Sequence, residues 1–248
     1  MKNSSIERLT VLDFGLFQVH ADGRIIGIQG YLIQTQDGKN ILVDTGFPAK
    51  YAENVQAASD EDGLGAFGHI ITLSKENLPS AQLARCGVQP QDIDTLIMSH
   101  THIDHVGGLN DFPQATLVIS CVERSLPKPL YWNNHSPIDW PANVQYHLID
   151  QETTLYPGLT LLPTPGHSPG HLSLLVNLPQ SGPILLTCDA ISRQSEPKEG
   201  FDGSWDPIQA EKSAAMLLEL ADREQAVIIY GHDPEQWAGL RKAPNYYQ

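Results

Sequence analysis

The chain has 248 residues, 41% of them hydrophobic, with 15 Lys and Arg against 29 Asp and Glu, a formal charge of −14. That length can bury a full core, and the acidic balance repels phosphate backbones and anionic lipid, so neither nucleic acid nor a membrane is expected as a partner. No apolar run is long enough to span a bilayer and the opening MKNSSIERLT lacks the apolar stretch of a secretory signal, which points to a cytoplasmic protein. Cys86, Cys121 and Cys188 are too widely spaced for a disulfide framework or a CxxC zinc site and read as reduced thiols.

Strand-like runs alternate with turns at the start: LTVLDFGLFQVH, the turn ADG, RIIGIQGYLIQT, the turn QDGKN and ILVDTG predict an antiparallel meander. Between Tyr51 and Leu78 the periodicity is poor, which predicts a loop with one short helix. A helix is predicted from Pro79 to Cys86, stopped at Gly87, and then a buried strand in DTLIMS. HTHIDHVGGL, the strand TLVIS and a helix from Cys121 follow, ending by Pro127 and Pro129; the aromatic stretch from Tyr131 to Pro141 reads as irregular. Further strands are predicted at VQYHLI, LTLLPT, HLSLLVNL and PILLTCDA, then a helix from Ile208 to Leu220 and a last strand, AVIIY, before GHDPEQW. Strands outnumber helices, so two packed sheets with helices outside are expected, in one domain over residues 1–248.

The run His100-Thr101-His102-Ile103-Asp104-His105 directly follows a strand and projects imidazoles and a carboxylate from its end. Such ligands within six residues can converge on a divalent metal, and Asp104 with His105 makes a second metal plausible. Three later sites share this placement. His167 and His171 lie in TPGHSPGH, whose prolines and glycines shape the loop, while Asp189 and His232 follow the apolar runs ILLTC and AVIIYG. A carboxylate at the end of a buried strand is costly unless paired or metal-bound. His20, His69, His135 and His147 have no such context and read as surface or packing residues.

The HxHxDH run, TPGHSPGH, strand-end Asp189 and Gly231-His232-Asp233 together resemble the metallo-β-lactamase superfamily, over a stretch from about Gly30 to His232. TPGHSPGHLSLL, ILLTCDA and GHDPEQW look most like its N-acyl homoserine lactonase branch, whose members act in quorum quenching. The resemblance implies an α/β fold, an αββα sandwich of two mixed β-sheets with helices on the outer faces, and a site for two divalent metal ions, taken as Zn2+. Carried over by position, His100, His102 and His167 hold one ion, Asp104, His105 and His232 the other, and Asp189 bridges them. Asp44, in an Asp-Thr-Gly turn, and His171 are read as supports; His171 would orient His167 or serve as a structural histidine.

The implied reaction is the opening of a lactone ring by a metal-bridging hydroxide, with Asp104 as the catalytic residue that passes a proton to the leaving oxygen. The enzyme is then a metal-dependent hydrolase of carboxylic esters, its partner a small neutral lactone or ester, and a homodimer stays open. One position departs from the branch, which has a tyrosine three residues after the bridging aspartate where this chain has Ser192. Phe14, Phe17, Phe47, Phe67, Trp132, Trp140 and Trp205 are candidates to line an acyl groove. A glyoxalase II type thioesterase carries an added helical domain, whereas sixteen residues follow His232 here. A non-catalytic metal-binding module is the remaining rival, disfavoured because structural zinc sites are closed by protein ligands.

Overall fold

Period-two burial organises the chain from its start. In the computed structural model, which describes residues 5–129 and 138–248, strands β1 (Ile6–Val19), β2 (Ile25–Thr35) and β3 (Asn40–Val43) form the expected antiparallel meander. Trp132 and His135 lie outside the described residues. The meander continues through the parallel strands β5 (Thr95–Ile97), β6 (Thr116–Ser120) and β7 (Tyr146–Ile149). With β4 (Gly68–Thr72) at the other edge, the order in this seven-stranded sheet is β4-β1-β2-β3-β5-β6-β7.

The second sheet has five strands in the order β12-β11-β10-β9-β8. These are β8 (Thr153–Tyr156), β9 (Leu159–Pro163), β10 (Leu172–Leu178), β11 (Gly182–Cys188) and β12 (Val227–Tyr230). Pairing is antiparallel from β8 to β11 and parallel between β11 and β12, so both sheets are mixed.

Adjacent residues on each strand go to opposite faces, and this builds three apolar layers. Leu161, Leu174 and Leu186 point inward and meet Leu9, Val11, Tyr31 and Ile97 of the larger sheet. Their neighbours Leu162, Leu175 and Leu185 point outward onto Ala210, Ala214 and Leu217. Those three belong to the helix Pro207–Glu224, which is capped by Asp206 accepting from the Gln209 amide. On the far face of the larger sheet, Leu12, Leu32, Leu42 and Leu96 pack with Tyr51, Ala58 and Leu83 from short helices. Each such leucine contributes about 1.5–3 kcal/mol on burial, so the αββα layering follows from the strand alternation.

Two strands escaped the sequence pattern, and both are sheet edges. The stretch from Tyr51 to Leu78, expected to be a loop with one helix, contains the helices Lys50–Glu53 and Val55–Asp62 and then β4, three of whose five residues are exposed. An edge strand with little buried surface has no alternation to detect. The same holds for β8. The last helix of the pattern runs four residues past the expected Leu220, to Glu224. Among the described residues no helix is long and apolar enough to cross a membrane.

Candidate metal centre

The segments that follow β3, β5, β9, β11 and β12 meet at one edge of the sandwich, and each brings a polar side chain. His102 precedes a single helical turn, Ile103–Val106, which carries Asp104 and His105. The turn after β3 straps this segment down: the Thr45 amide and hydroxyl both donate to the His105 carbonyl, at 2.7 and 2.8 Å, and the Gly107 amide donates to the Gly46 carbonyl. Gly107 is required there, because a Cβ would lie 2.0 Å from the Phe47 carbonyl carbon. The His167 loop is closed by Thr164 donating to the His171 carbonyl, and Gly166, at φ 137°, lies against Ala210 of the long helix.

The loops assemble two triads able to hold a metal, His100 with His102 and His167, and Asp104 with His105 and His232. His167 Nε2 lies 3.0 Å from His102 Nδ1, and Asp104 Oδ2 lies 3.6 Å from His105 Nε2 and 3.5 Å from His232 Nε2. Asp189 stands between the triads. Its Oδ1 is 3.2 Å from His232 Nε2 and 3.6 Å from His105 Nε2, while Oδ2 is 3.4 Å from His167 Nε2 and 4.0 Å from His100 Nε2. Asp189 follows Cys188, which adopts a positive φ of 47° at the end of β11.

Hydrogen bonds behind the triads decide which imidazole nitrogen faces forward. His105 Nδ1 donates to Asp44 Oδ2 at 2.9 Å, and His232 Nδ1 donates to the Gly27 carbonyl at 2.9 Å. Ser99 Oγ donates to the same Asp44 oxygen at 2.7 Å and in turn accepts from His100 Nδ1 at 3.0 Å. In all three, Nε2 is left turned to the site. Among the described residues, the buried Nε2 atoms of His100, His105 and His232 and Oδ1 of Asp189 meet no hydrogen-bond partner. Leaving four such atoms unpaired costs about 1–3 kcal/mol each, which a cation between them would offset. Ligand atoms about 2.0–2.1 Å from a tetrahedral ion are a little over 3 Å apart, so the donor set fits divalent metal.

Electrostatics agree with the division into triads. Burial, reinforced by neighbouring imidazoles, holds His100 and His167 well below the usual histidine range, and burial lowers His102 as well, so all three offer lone pairs. Burial also depresses His105 and His232, but nearby carboxylates outweigh it: Asp104, Asp189 and Asp44 hold His105 well above its ordinary value, and Asp189 and Asp104 raise His232 to about 8. Against its own burial, Asp189 is held well below the carboxylate range by His232 and His105. Without metal, protons on two imidazoles supply the positive charge these carboxylates require.

The supporting residues differ in part from expectation. Asp44, buried and at φ 58°, accepts from the Ser99 amide and hydroxyl and from His105. His171 does not bond to His167: its Nδ1 meets Thr164 Oγ1 at 2.8 Å and its Nε2 accepts from the Asp189 amide at 3.0 Å, so it anchors the carboxylate that stands between the triads. Burial pushes His171 down to about 3, which keeps Nε2 an acceptor. The Ser192 carbonyl accepts from the His232 amide at 2.7 Å and its amide donates to Glu196.

Glu123 was missed in the sequence. Fully buried, its carboxylate accepts from Thr101 Oγ1 at 2.8 Å, from the Gly170 amide at 3.1 Å and from Ser168 Oγ, tying the His100–His105 segment to the His167 loop.

A cavity of about 420 Å³ opens over the triads, walled by Ile26, Phe67 and Trp205 on its apolar side and by Arg24, Ser192 and Ser204 on its polar side. It adjoins a second, apolar cavity of about 440 Å³, the two sharing Ile26, Phe67 and Asp104 in their walls. Of the candidate aromatics, Phe17, Phe47 and Phe67 line this second cavity and Trp205 the first. Phe14 is instead core, packed onto Gly30 and Gly46, and Trp140 donates to the Leu126 carbonyl beside Arg124.

Comparison with known proteins agrees with this geometry. A relative in Bacillus cereus named N-acyl homoserine lactonase is 35% identical over 222 residues, covering 87% of this chain and 85% of its own. N-acyl homoserine lactonase AttM of Rhizobium radiobacter is 30% identical over 234 residues, covering 88% and 86%. A solved structure of a B. thuringiensis AiiA variant with N-decanoyl-L-homoserine bound at the active site superposes with a TM-score of 0.86 at 30% identity, over 98% of this chain and 100% of that one. A structure of an N-acyl homoserine lactone hydrolase with the product N-hexanoyl-L-homoserine at its catalytic metal centre gives the same TM-score, identity and coverage. The profile of the metallo-beta-lactamase superfamily matches residues 27–232. That span runs through all seven candidate ligands, the two triads and the carboxylate between them, and the chain belongs to this superfamily.

Proposed function

We propose that this chain is a dinuclear metal hydrolase that opens the ring of N-acyl homoserine lactones, working as one domain over residues 1–248. His100, His102 and His167 would hold one ion, Asp104, His105 and His232 the other, and Asp189 would contribute one oxygen to each; the metal is taken as Zn2+. The observation that carries this reading is the division of the Asp189 carboxylate, Oδ1 toward His105 and His232 and Oδ2 toward His100 and His167. When bound, the metal pair supplies an activated water near neutral pH and Lewis acidity toward the ester carbonyl.

The protein's own groups set the rest. Asp104 lies in the wall of both cavities, where a lactone over the triads comes within its reach. Water adds to the ester carbonyl carbon, the ring C–O bond breaks, and the Asp104 carboxylate carries one proton to the departing ring oxygen, giving a hydroxy acid. The acyl chain lies in the apolar cavity of Phe17, Phe47 and Phe67, out of water. His171, through the Asp189 amide, and Asp44, through His105, keep the donors aimed.

The test is ring opening of an N-acyl homoserine lactone by the metal-replete protein, followed by mass spectrometry. The hydroxy acid is expected, lost on chelation and restored by zinc or cobalt. Hydrolysis undiminished after complete metal removal, or no ring opening by metal-replete protein, contradicts the reading.

A further inference from the structure

The wall of the cavity over the triads contains one formal cation besides its histidines, Arg24, in a chain with a net charge of −14. The hairpin turn between β1 and β2 sets its place: Gly23 at φ 76° donates to the Val19 carbonyl at 2.9 Å, and the Arg24 carbonyl accepts from the Val19 amide at 3.0 Å. One end of the guanidinium, Nη1, pairs with the half-exposed Asp22. Nε and Nη2 meet no acceptor among the described residues, so part of a five-donor fork stays uncommitted at the cavity wall. Arg24 and Ser192 line the same two neighbouring cavities. Ser192 has a short hydroxyl, and Arg24 is the long donor in the same walls.

We propose that Arg24 is a specificity-determining residue, donating to the amide carbonyl of the substrate and selecting N-acylated lactones over lactones without an amide. This rests on the lactonase reading of the site. The substrate has two carbonyls. The ester carbonyl belongs over the triads, so the amide carbonyl must find its donor in the cavity wall; taken out of water without one, it binds poorly. Ile26 and Phe67 have no donor to offer it; the Trp205 indole and the Ser192 and Ser204 hydroxyls are neutral donors, whereas the guanidinium gives the stronger, charge-assisted bond. Among the described residues the one ion pair of Arg24 is with the half-exposed Asp22, of the kind that adds little to stability, and Glu196 and Glu199 attract it without contact, so it can be replaced in a folded protein.

The experiment compares metal-replete wild-type protein and Arg24→Met on N-hexanoyl homoserine lactone and on an alkyl γ-lactone of similar length that lacks the amide. Methionine keeps a long apolar stem and removes the donors. The expected result is a KM about tenfold higher for the amide lactone with kcat nearly unchanged, and kcat/KM for the alkyl lactone within about twofold of wild type. Metal content should equal that of wild type. An unchanged KM for the amide lactone, or equal loss on both substrates, overturns the assignment of Arg24 while leaving the lactonase intact. Wild-type protein inert toward both lactones overturns the lactonase reading, and the role of Arg24 with it.

Discussion

Replacing Asp44 by Asn isolates the part played by one buried carboxylate in preparing a ligand it does not itself supply. The backbone at Asp44 is left-handed, at φ 58°, a conformation asparagine tolerates, so the chain path should hold. The amide oxygen of Asn can keep the bond from the Ser99 amide, at 2.8 Å in the wild type. Its NH2 group then faces two donors, Ser99 Oγ and His105 Nδ1, which both gave their hydrogens to Asp44 Oδ2. His105 relieves the clash by moving its proton to Nε2, the nitrogen turned to Asp104 and Asp189. Loss of such a supporting bond weakens metal affinity by about 10–100-fold, or about 1.4–2.7 kcal/mol. Competition against a chromophoric chelator should find the ion of the Asp104, His105 and His232 triad weakened by this factor, and that of the His100 triad, which Asp44 reaches only through Ser99 Oγ, weakened by less. Unchanged affinity at both sites, or equal loss at both, refutes the tautomer reasoning.

Further outcomes follow from the same geometry. Glu123→Ala strands the Thr101 and Ser168 hydroxyls and the Gly170 amide in a fully buried site and should cost about 3 kcal/mol in urea unfolding; a loss under about 1 kcal/mol would contradict the tie between the loops. Gly107→Ala drives a methyl group into the Phe47 backbone, and a fall in stability of at least about 3 kcal/mol is expected by thermal melting, whereas a neutral effect would show that the strap can yield. For the metal-free chain, pH acts in two directions. His100, His102, His167 and His171 have lowered values, so the unfolded chain binds more protons as pH falls below about 6.5 and stability drops there. His105 and His232 are raised, so their contribution is present below about 6.5 and fades as pH rises, through about 8 for His232. The melting temperature of metal-free protein should peak between these values, and a monotonic pH profile would contradict the assignments.

The candidate donors are legible because strand ends and a metal-ligand run leave local marks. HTHIDH stands against the buried strand Thr95–Ile97, and Asp189 and His232 each break an apolar run, which ordinary surface residues do not do. Glu123 left a misleading mark instead. Ser120 and Glu123 have the spacing of a helix cap, and the serine does cap the Glu123 amide, but the carboxylate turns inward to Thr101, Ser168 and Gly170. No one-dimensional pattern states that partners 22 and 45 residues away will need it. The partner of His171 is hidden for a similar reason: of its two readings the structural one holds, since it lies four residues from His167 in the chain, yet its ring bonds to the amide of Asp189, which β10 and β11 bring across the sheet. Phe14 and Phe17 look alike in sequence, but they have different surroundings. The bulge in β1 between Asp13 and Leu16 brings both to one face, where Phe14 packs against Gly30 and Gly46 and Phe17, farther along the strand, lines the cavity.

The central claim is that seven side chains hold two ions around one shared carboxylate. Anomalous diffraction from crystals of the metal-replete protein tests it most directly. Two peaks are expected, one beside His100, His102 and His167 and one beside Asp104, His105 and His232, with Asp189 touching both. A single peak, or peaks away from these residues, would contradict the account.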